Sequence, residues 1–224
     1  MISNSDAWSQ LKVVDYFNVN RNKLTDVYQS EWFFLKDQLD NGQSILDIGC
    51  AQGGFASIIK SHIKDFHYTG VDISSSMIER AKKNHPEHVF HCINDNDFNC
   101  LESDKFDLTI LLGILHLNES WRDTIKSAWE RTSSCLILDL RETNEPSIED
   151  KAKSYFRMDI NGTIDGFNGV LPYNIINSGE ALNEIVTICS EASKISHYGY
   201  TQSPSSASVC PISSIFANVY CIER

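Results

Sequence analysis

Three observations place the chain in the α/β class, as a doubly wound sheet of about seven strands, mostly parallel with an antiparallel last strand, and helices on both faces. First, short runs apolar on both faces recur, as in Ser44 to Ile48, Phe106 to Leu112 and Ser134 to Leu140. Second, segments with helical apolar spacing alternate with them. Strands apolar on both faces need cover on both sides, which is the situation of a parallel sheet between two helical layers. Third, the last two apolar runs, Ile195 to Tyr200 and Ile215 to Ile222, are joined by a Ser/Pro-rich loop, 201–214. That loop is too short for a helical crossover, so these two strands pair antiparallel.

The elements follow in order. Residues 1–40 read as helical, with Trp32, Phe33, Leu35 and Leu39 as the apolar stripe and Asn41-Gly42 as the stop. Ser44 to Ile48 is the first strand. Phe55 to Lys64 has helical spacing, and Phe66 to Ile73 reads as the second strand. Ser74 begins a helix with Met77, Ile78 and Ala81 on one face, ended before Pro86. Val89 to Ile93 is the third strand, followed by the polar turn Asn94-Asp95-Asn96-Asp97. Phe106 to Leu112 and Ser134 to Leu140 flank a helix at Trp121 to Trp129. Residues 142–177 read as polar and irregular. Ser178 to Ser193 is the last helix, with Asn177 and Glu180 spaced as a capping box.

Composition bounds the function. The 224 residues carry 19 Lys+Arg and 30 Asp+Glu, a net charge of −11. Nucleic-acid phosphates and anionic membranes both demand a basic face, so neither is expected as a partner. The longest apolar run, Leu108 to Leu117, is interrupted and about half a membrane span. Met1 to Trp8 has neither the basic region nor the apolar run of a signal peptide. The seven Cys are odd in number and form no C-x-x-C pair; Cys50, Cys92, Cys135 and Cys221 lie in apolar stretches. Free thiols, no metal site and a cytoplasmic location are the expectations.

In a doubly wound sheet, ligands bind beyond the carboxyl ends of the strands, where strand order reverses. Three sequence elements sit there. Asp47-Ile48-Gly49-Cys50-Ala51-Gln52-Gly53 is a strand end, a glycine-rich turn and a helix start. Asp72 ends the next strand, 19 residues after Gly53, where a carboxylate accepts hydrogen bonds from two ribose hydroxyls. Asn94-Asp95-Asn96 follows the third strand, where a carboxylate and a backbone N–H can read an adenine edge.

Together these resemble the class I S-adenosylmethionine-dependent methyltransferases of small-molecule type, whose fold is Rossmann-like. Ala51 stands where the family's first motif has its middle glycine. Tyr68-Thr69-Gly70-Val71-Asp72-Ile73-Ser74 resembles the ribose-binding second motif, and Phe106-Asp107-Leu108 through Gly113-Ile114-Leu115-His116 the fourth. The likeness is close over residues 45–141. It implies S-adenosylmethionine as cofactor and S-adenosylhomocysteine as product. Gly49, Ala51 and Gly53 would line the methionine and ribose portion. Asp72 would take the ribose hydroxyls, Ile73 the adenine face, Asp95 the adenine amine and Asn96 the ring through its backbone. Gly113 would lie near the sulfonium and Asp47 near the cofactor amine. Residues 1–40 would close over the cofactor, bringing Arg21 to its carboxylate with Tyr28 alongside. Residues 41–224 would form the catalytic domain, with 142–177 as a lid on the substrate side.

Methyl transfer is an in-line displacement, so the protein mainly positions its reactants. His116 is the candidate general base for a hydroxyl acceptor. Arg141 is the candidate clamp for a carboxylate or phosphate, and Tyr173 and Asn174 are candidate acceptor contacts. The expected acceptor is a small polar metabolite, with oxygen slightly preferred over nitrogen, and the protein a monomer or homodimer. A cofactor-binding protein without catalysis, a regulatory subunit and an RNA methyltransferase remain as alternatives. A nicotinamide-binding fold would need G-x-G-x-x-G, which Gly49-x-Ala51-x-Gly53-Gly54 does not supply.

Overall fold

The computed structural model describes Trp8, Asp15 and residues 20–94, 96–101, 105–157 and 170–224. Its elements are α1 (Gln29–Leu35), β1 (Gln43–Ile48), α2 (Gly54–Lys60), β2 (Phe66–Asp72), α3 (Ser75–Asn84), β3 (Val89–Cys92), β4 (Phe106–Leu111), α4 (Trp121–Glu130) and β5 (Thr132–Thr143). There follow β6 (Tyr155–Arg157), β7 (Val170–Pro172), β8 (Ile176–Asn177), α5 (Ser178–Ile188), β9 (Lys194–Gln202), β10 (Ser208–Val209) and β11 (Ile215–Glu223).

The main sheet has eight strands, in the order β3-β2-β1-β4-β5-β11-β9, with β8 beside the end of β5. Strands β1 to β5 are mutually parallel, and β11 runs antiparallel to both β5 and β9. The order reverses between β1 and β4, and that is where a crevice opens beyond the strand ends.

Side-chain alternation along the strands builds two cores. Ile45, Ile110 and Ile137 join one cluster with Leu35, Phe55, Ile59 and Ile78 from α1, α2 and α3. Leu46, Leu111, Leu136 and Leu138 join the other with Trp121, Ile125 and Ile185 from α4 and α5. Adjacent residues of one strand thus serve opposite faces, which is why these strands read as continuous apolar runs. Each such side chain contributes about 1.5–3 kcal/mol by leaving water.

Several elements differ from the sequence expectation. Within residues 20–40, regular α-helix is confined to α1. Residues 20–28 form turns and a short 3-10 helix at Leu24–Asp26, because the Asp26 carboxylate draws in the backbone N–H groups of Asn22 and Lys23. The last helix ends at Ile188, five residues before Ser193. Strand β5 runs to Thr143, because β11 pairs with it as far as Glu142. Residues 142–177 are not wholly irregular: β6 pairs with β7 and with β10, which lies inside the loop 201–214. Strands of two or three residues leave no alternating pattern, so only the non-local pairing defines them. Cys92 is exposed, whereas Cys50, Cys135, Cys189 and Cys221 are buried. Among the described residues no helix is long and apolar enough to cross a membrane.

The Asn177 side chain caps α5 by accepting from the N–H groups of Gly179 and Glu180, and its amide donates to the carbonyls of Asn144 and Glu145. Asn177→Ala is expected to cost about 1–2 kcal/mol. Urea denaturation measures it, and an unchanged midpoint would rule out a stabilising cap.

Candidate functional site

A cavity of about 660 Å³ lies beyond the carboxyl ends of β1, β2 and β4. Its floor is the turn after β1. The N–H groups of Gly49 and Cys50 both donate to the Val71 carbonyl, tying this turn to β2. A Cβ on Gly49, which has φ +81°, would fall 2.6 Å from Ile114 Cγ2. Ala51 lies in the left-handed region at φ +46°. A side chain there costs about 1–2 kcal/mol, the physical reason for a glycine at this place in the motif.

Asp72 ends β2 on the cavity wall. Its Oδ2 accepts from the Ala51 N–H at 2.9 Å and its Oδ1 from the Ser74 N–H at 2.8 Å. The carboxylate is thereby locked in orientation. Burial pushes its carboxyl above the ordinary range, opposed by those two bonds. Ile73, Asn96 and Gly113 also line the cavity. Asn96 Oδ1 accepts from the Thr124 hydroxyl at 2.6 Å. Asp95 lies outside the described residues.

The N-terminal segment crosses the turn. Arg21 forms a two-pronged ion pair with Glu31, at 2.9 and 3.0 Å, and its guanidinium stacks over the rings of Tyr28 and Phe55. Glu31 is 1% exposed and also accepts from the Tyr28 N–H. Arg21 and Tyr28 both reach the cavity. Glu31 was not singled out in the sequence; its signal was the Tyr28-x-x-Glu31 spacing at a helix start.

Beside Arg21, His116, Arg141 and Tyr173 come together on one wall. The His116 and Tyr173 rings meet edge to face at 5.5 Å. Arg141 Nη1 donates to Asp139 Oδ2 at 2.6 Å, and Asp139 Oδ1 accepts from the Gly113 N–H at 2.6 Å. Burial works against the charged form of Asp139, yet Arg141, His116 and the Gly113 N–H hold its carboxyl below the ordinary range. Asp139 was also missed in the sequence, although an acid inside the apolar run Leu136 to Leu140 is itself a signal. Burial, reinforced by Arg141, pushes the His116 imidazole down to about 3. It is therefore neutral at physiological pH and has little drive to remove a hydroxyl proton.

Three other expected positions stand back from the cavity surface. Asp47 is 2% exposed and accepts a hydrogen bond from the Tyr68 hydroxyl. Burial pushes its carboxyl up to about 7; Asp72 adds to the rise, and Tyr68 and Arg21 oppose it. Gly53 caps α2 from behind the turn. Asn174 donates its amide to the carbonyls of Asn118 and Leu115, and its backbone N–H to that of His116. It joins the segment between β7 and β8 to the loop after β4. Phe156, within the segment 142–177 that the sequence pointed to, lines the cavity together with Gln202, Ser203, Ser205 and Ser206, which the sequence did not indicate. Gln202 ends β9, and the Ser205 N–H donates to the Tyr173 hydroxyl at 3.5 Å.

Comparison with known proteins bears on the same crevice. Residues 46–136 match the profile of a methyltransferase-domain family. That stretch carries the glycine turn, Asp72, Gly113 and His116, and its match agrees with the resemblance to the class I S-adenosylmethionine-dependent methyltransferases. It is 42% identical over 50 residues to a malonyl-[acyl-carrier protein] O-methyltransferase from Brevibacillus brevis, covering 22% of this chain and 18% of that protein. It is 28% identical over 114 residues to a probable (S)-tetrahydroprotoberberine N-methyltransferase from Papaver bracteatum, covering 49% of this chain and 32% of that one. The chain thus spans a third or less of the length of either relative. Among solved structures, the plantazolicin methyltransferase BamL, in complex with a triazolic desmethylPZN analog and SAH, superimposes with a TM-score of 0.63 at 16% identity. That likeness covers 99% of this chain and 94% of BamL. The N-terminal domain of EvdMO1, in the presence of SAH and D-fucose, gives 0.61 at 10% identity over 88% and 84% of the two chains. At these identities the likeness is one of fold.

Two predictions follow from the site. A Cβ on Gly54 would fall 2.0 Å from the Arg21 carbonyl oxygen. Alanine would gain about 1 kcal/mol of helix propensity. Gly54→Ala is nevertheless expected to lower the melting temperature and speed proteolysis near Arg21; a raised melting temperature would show that the strap does not depend on this contact. The second prediction concerns pH. His116 titrates near 6.5 unfolded and about 3 folded, so the unfolded chain binds more protons between these values and stability falls as pH drops through that window. Asp47 has the opposite sign: near 3.8 unfolded and about 7 folded, it costs stability as pH rises from 3.8 to 7. Urea titrations across pH 4–8 are expected to show His116→Asn losing less stability than wild type toward acid, and Asp47→Asn losing less toward neutrality. Curves parallel to wild type would contradict both assignments.

Proposed function

We propose that this protein transfers a methyl group from S-adenosylmethionine to a small polar metabolite, with oxygen preferred over nitrogen as the acceptor atom. The observation that carries this reading is the crevice at the reversal of strand order. There a glycine turn and an oriented Asp72 meet a wall of His116, Arg141 and Tyr173.

The residues present fit the cofactor. The volume lies within the range of about 300–1,000 Å³ typical of small-ligand sites. The turn after β1 is closed to added side chains on its Ile114 side, and Asp72 presents an anchored carboxylate. Asp72 would hold the ribose hydroxyls, Ile73 the adenine face, and Asp95 with the Asn96 backbone the adenine edge. Gly49, Ala51, Gly53 and Gly113 would shape the floor. Arg21 and Tyr28 would close over the carboxylate end, and Asp47 would act from behind the turn.

When bound, S-adenosylmethionine supplies a methyl group on an electron-poor sulfur. The chain's own contribution is to hold two reactants in line and exclude water. His116 and Tyr173 would orient the acceptor as neutral partners. Arg141, held by Asp139, would fix an anionic group on it. The segment around β6 and β7 would serve as a lid, and residues 1–40 as a strap over the cofactor.

Calorimetry with S-adenosylmethionine, S-adenosylhomocysteine and NAD tests the reading. The first two are expected to bind and NAD is not. Asp72→Asn is expected to weaken binding of both by about ten- to a hundredfold. Binding of NAD alone would overturn the cofactor assignment.

A further inference from the structure

The wall around Arg141 holds an unfinished set of hydrogen bonds. Arg141 is 7% exposed, and among the described residues its one hydrogen-bonded partner is Asp139, through Nη1. A guanidinium has five N–H donors. A nearly buried cation that keeps donors open toward a cavity calls for acceptor oxygens to complete it. Beside it stands His116, 8% exposed, with Nδ1 buried and unpartnered. Arg21, the other guanidinium at this end, is spent two-pronged on Glu31.

From this arrangement we infer that the methyl acceptor is a carboxylate, held by the donors of Arg141 that Asp139 leaves open and methylated on oxygen to an ester. This deepens the proposed function and rests on it. Charge and acid–base chemistry both favour a carboxylate. Asp139 already offsets part of the Arg141 charge, which suits a single negative charge better than a phosphate dianion. A hydroxyl acceptor would have to lose a proton, and the candidate base on this wall, His116, is kept neutral and weakly basic by burial and Arg141. A carboxylate arrives already deprotonated at neutral pH. One of its oxygens supplies the electron pair for the new carbon–oxygen bond. The methyl–sulfur bond breaks with its pair left on sulfur, and no proton is released. The anion and the sulfonium become a neutral ester and a neutral thioether. The hydroxyls of Ser203, Ser205 and Ser206 and the amide of Gln202, which line the same cavity, would receive the polar remainder of the acceptor.

The test uses the full chain saturated with S-adenosylhomocysteine, titrated with succinate, glutarate and benzoate and with the matching amides. The carboxylates are expected to bind at least about tenfold more tightly than their amides, the worth of a charge-assisted pair. Arg141→Gln is expected to abolish that preference and Arg141→Lys to restore part of it, with S-adenosylhomocysteine affinity unchanged. Wild-type protein given S-adenosylmethionine labelled in the methyl group is expected to yield, from any carboxylate that turns over, a base-labile product releasing labelled methanol. Equal affinity for acids and amides, no binding of any carboxylate, or a base-stable product would overturn the inference. Failure to bind S-adenosylhomocysteine would instead overturn the methyltransferase reading itself.

Discussion

The site depends on one buried carboxylate. Asp139 sits on a central strand with its two oxygens divided between the Gly113 N–H and the Arg141 guanidinium. An isolated charge there would be expensive, and two charge-assisted bonds offset that cost. The consequence is geometric. The loop after β4 and the end of β5 come from distant parts of the chain, yet they share one anchor. The anchor holds Arg141 directly and the loop that carries His116 through Gly113, and both side chains line the same cavity. Removing the carboxylate would leave Arg141 an unpaired buried cation and release the loop that carries His116.

A second constraint acts through backbone contact. The segment at Arg21 passes over the start of α2 so closely that only glycine fits at position 54. Glu31 then holds Arg21 in place from the first turn of α1. Residues 20–28 and the glycine turn are thus packed together, and both line the cavity.

The titratable groups around the cavity divide by partner. Asp139 has a cation and a backbone donor, so its charge survives burial. Asp47 has mainly the Tyr68 hydroxyl, and with Asp72 nearby its carboxyl rises toward neutrality. His116 has guanidinium neighbours, so burial and their charge both favour the neutral ring. Two buried carboxylates on β1 and β5 of one sheet, with β4 between them, therefore behave differently because their partners differ, not because their exposure does.

Much of the fold was legible in the sequence. The both-face apolar strands, the alternating helices and the short final connection were local patterns, and each reports what its own segment must bury. The glycine turn and Asp72 were legible for the same reason, since their spacing is a property of one strand–turn–helix–strand unit. What the sequence left open was every relation between distant segments. The pairing of β6 with β10, the seating of Arg21 on Gly54, the buried partners Glu31 and Asp139, and the displacement of Asn174 from the cavity wall into a backbone bracket all join residues remote along the chain. Composition and spacing thus determined the class of sheet and the location of the crevice. Only the tertiary structure decided which charges are neutralised and which guanidinium keeps open donors, because burial and partnership belong to the packed molecule and not to any stretch of residues.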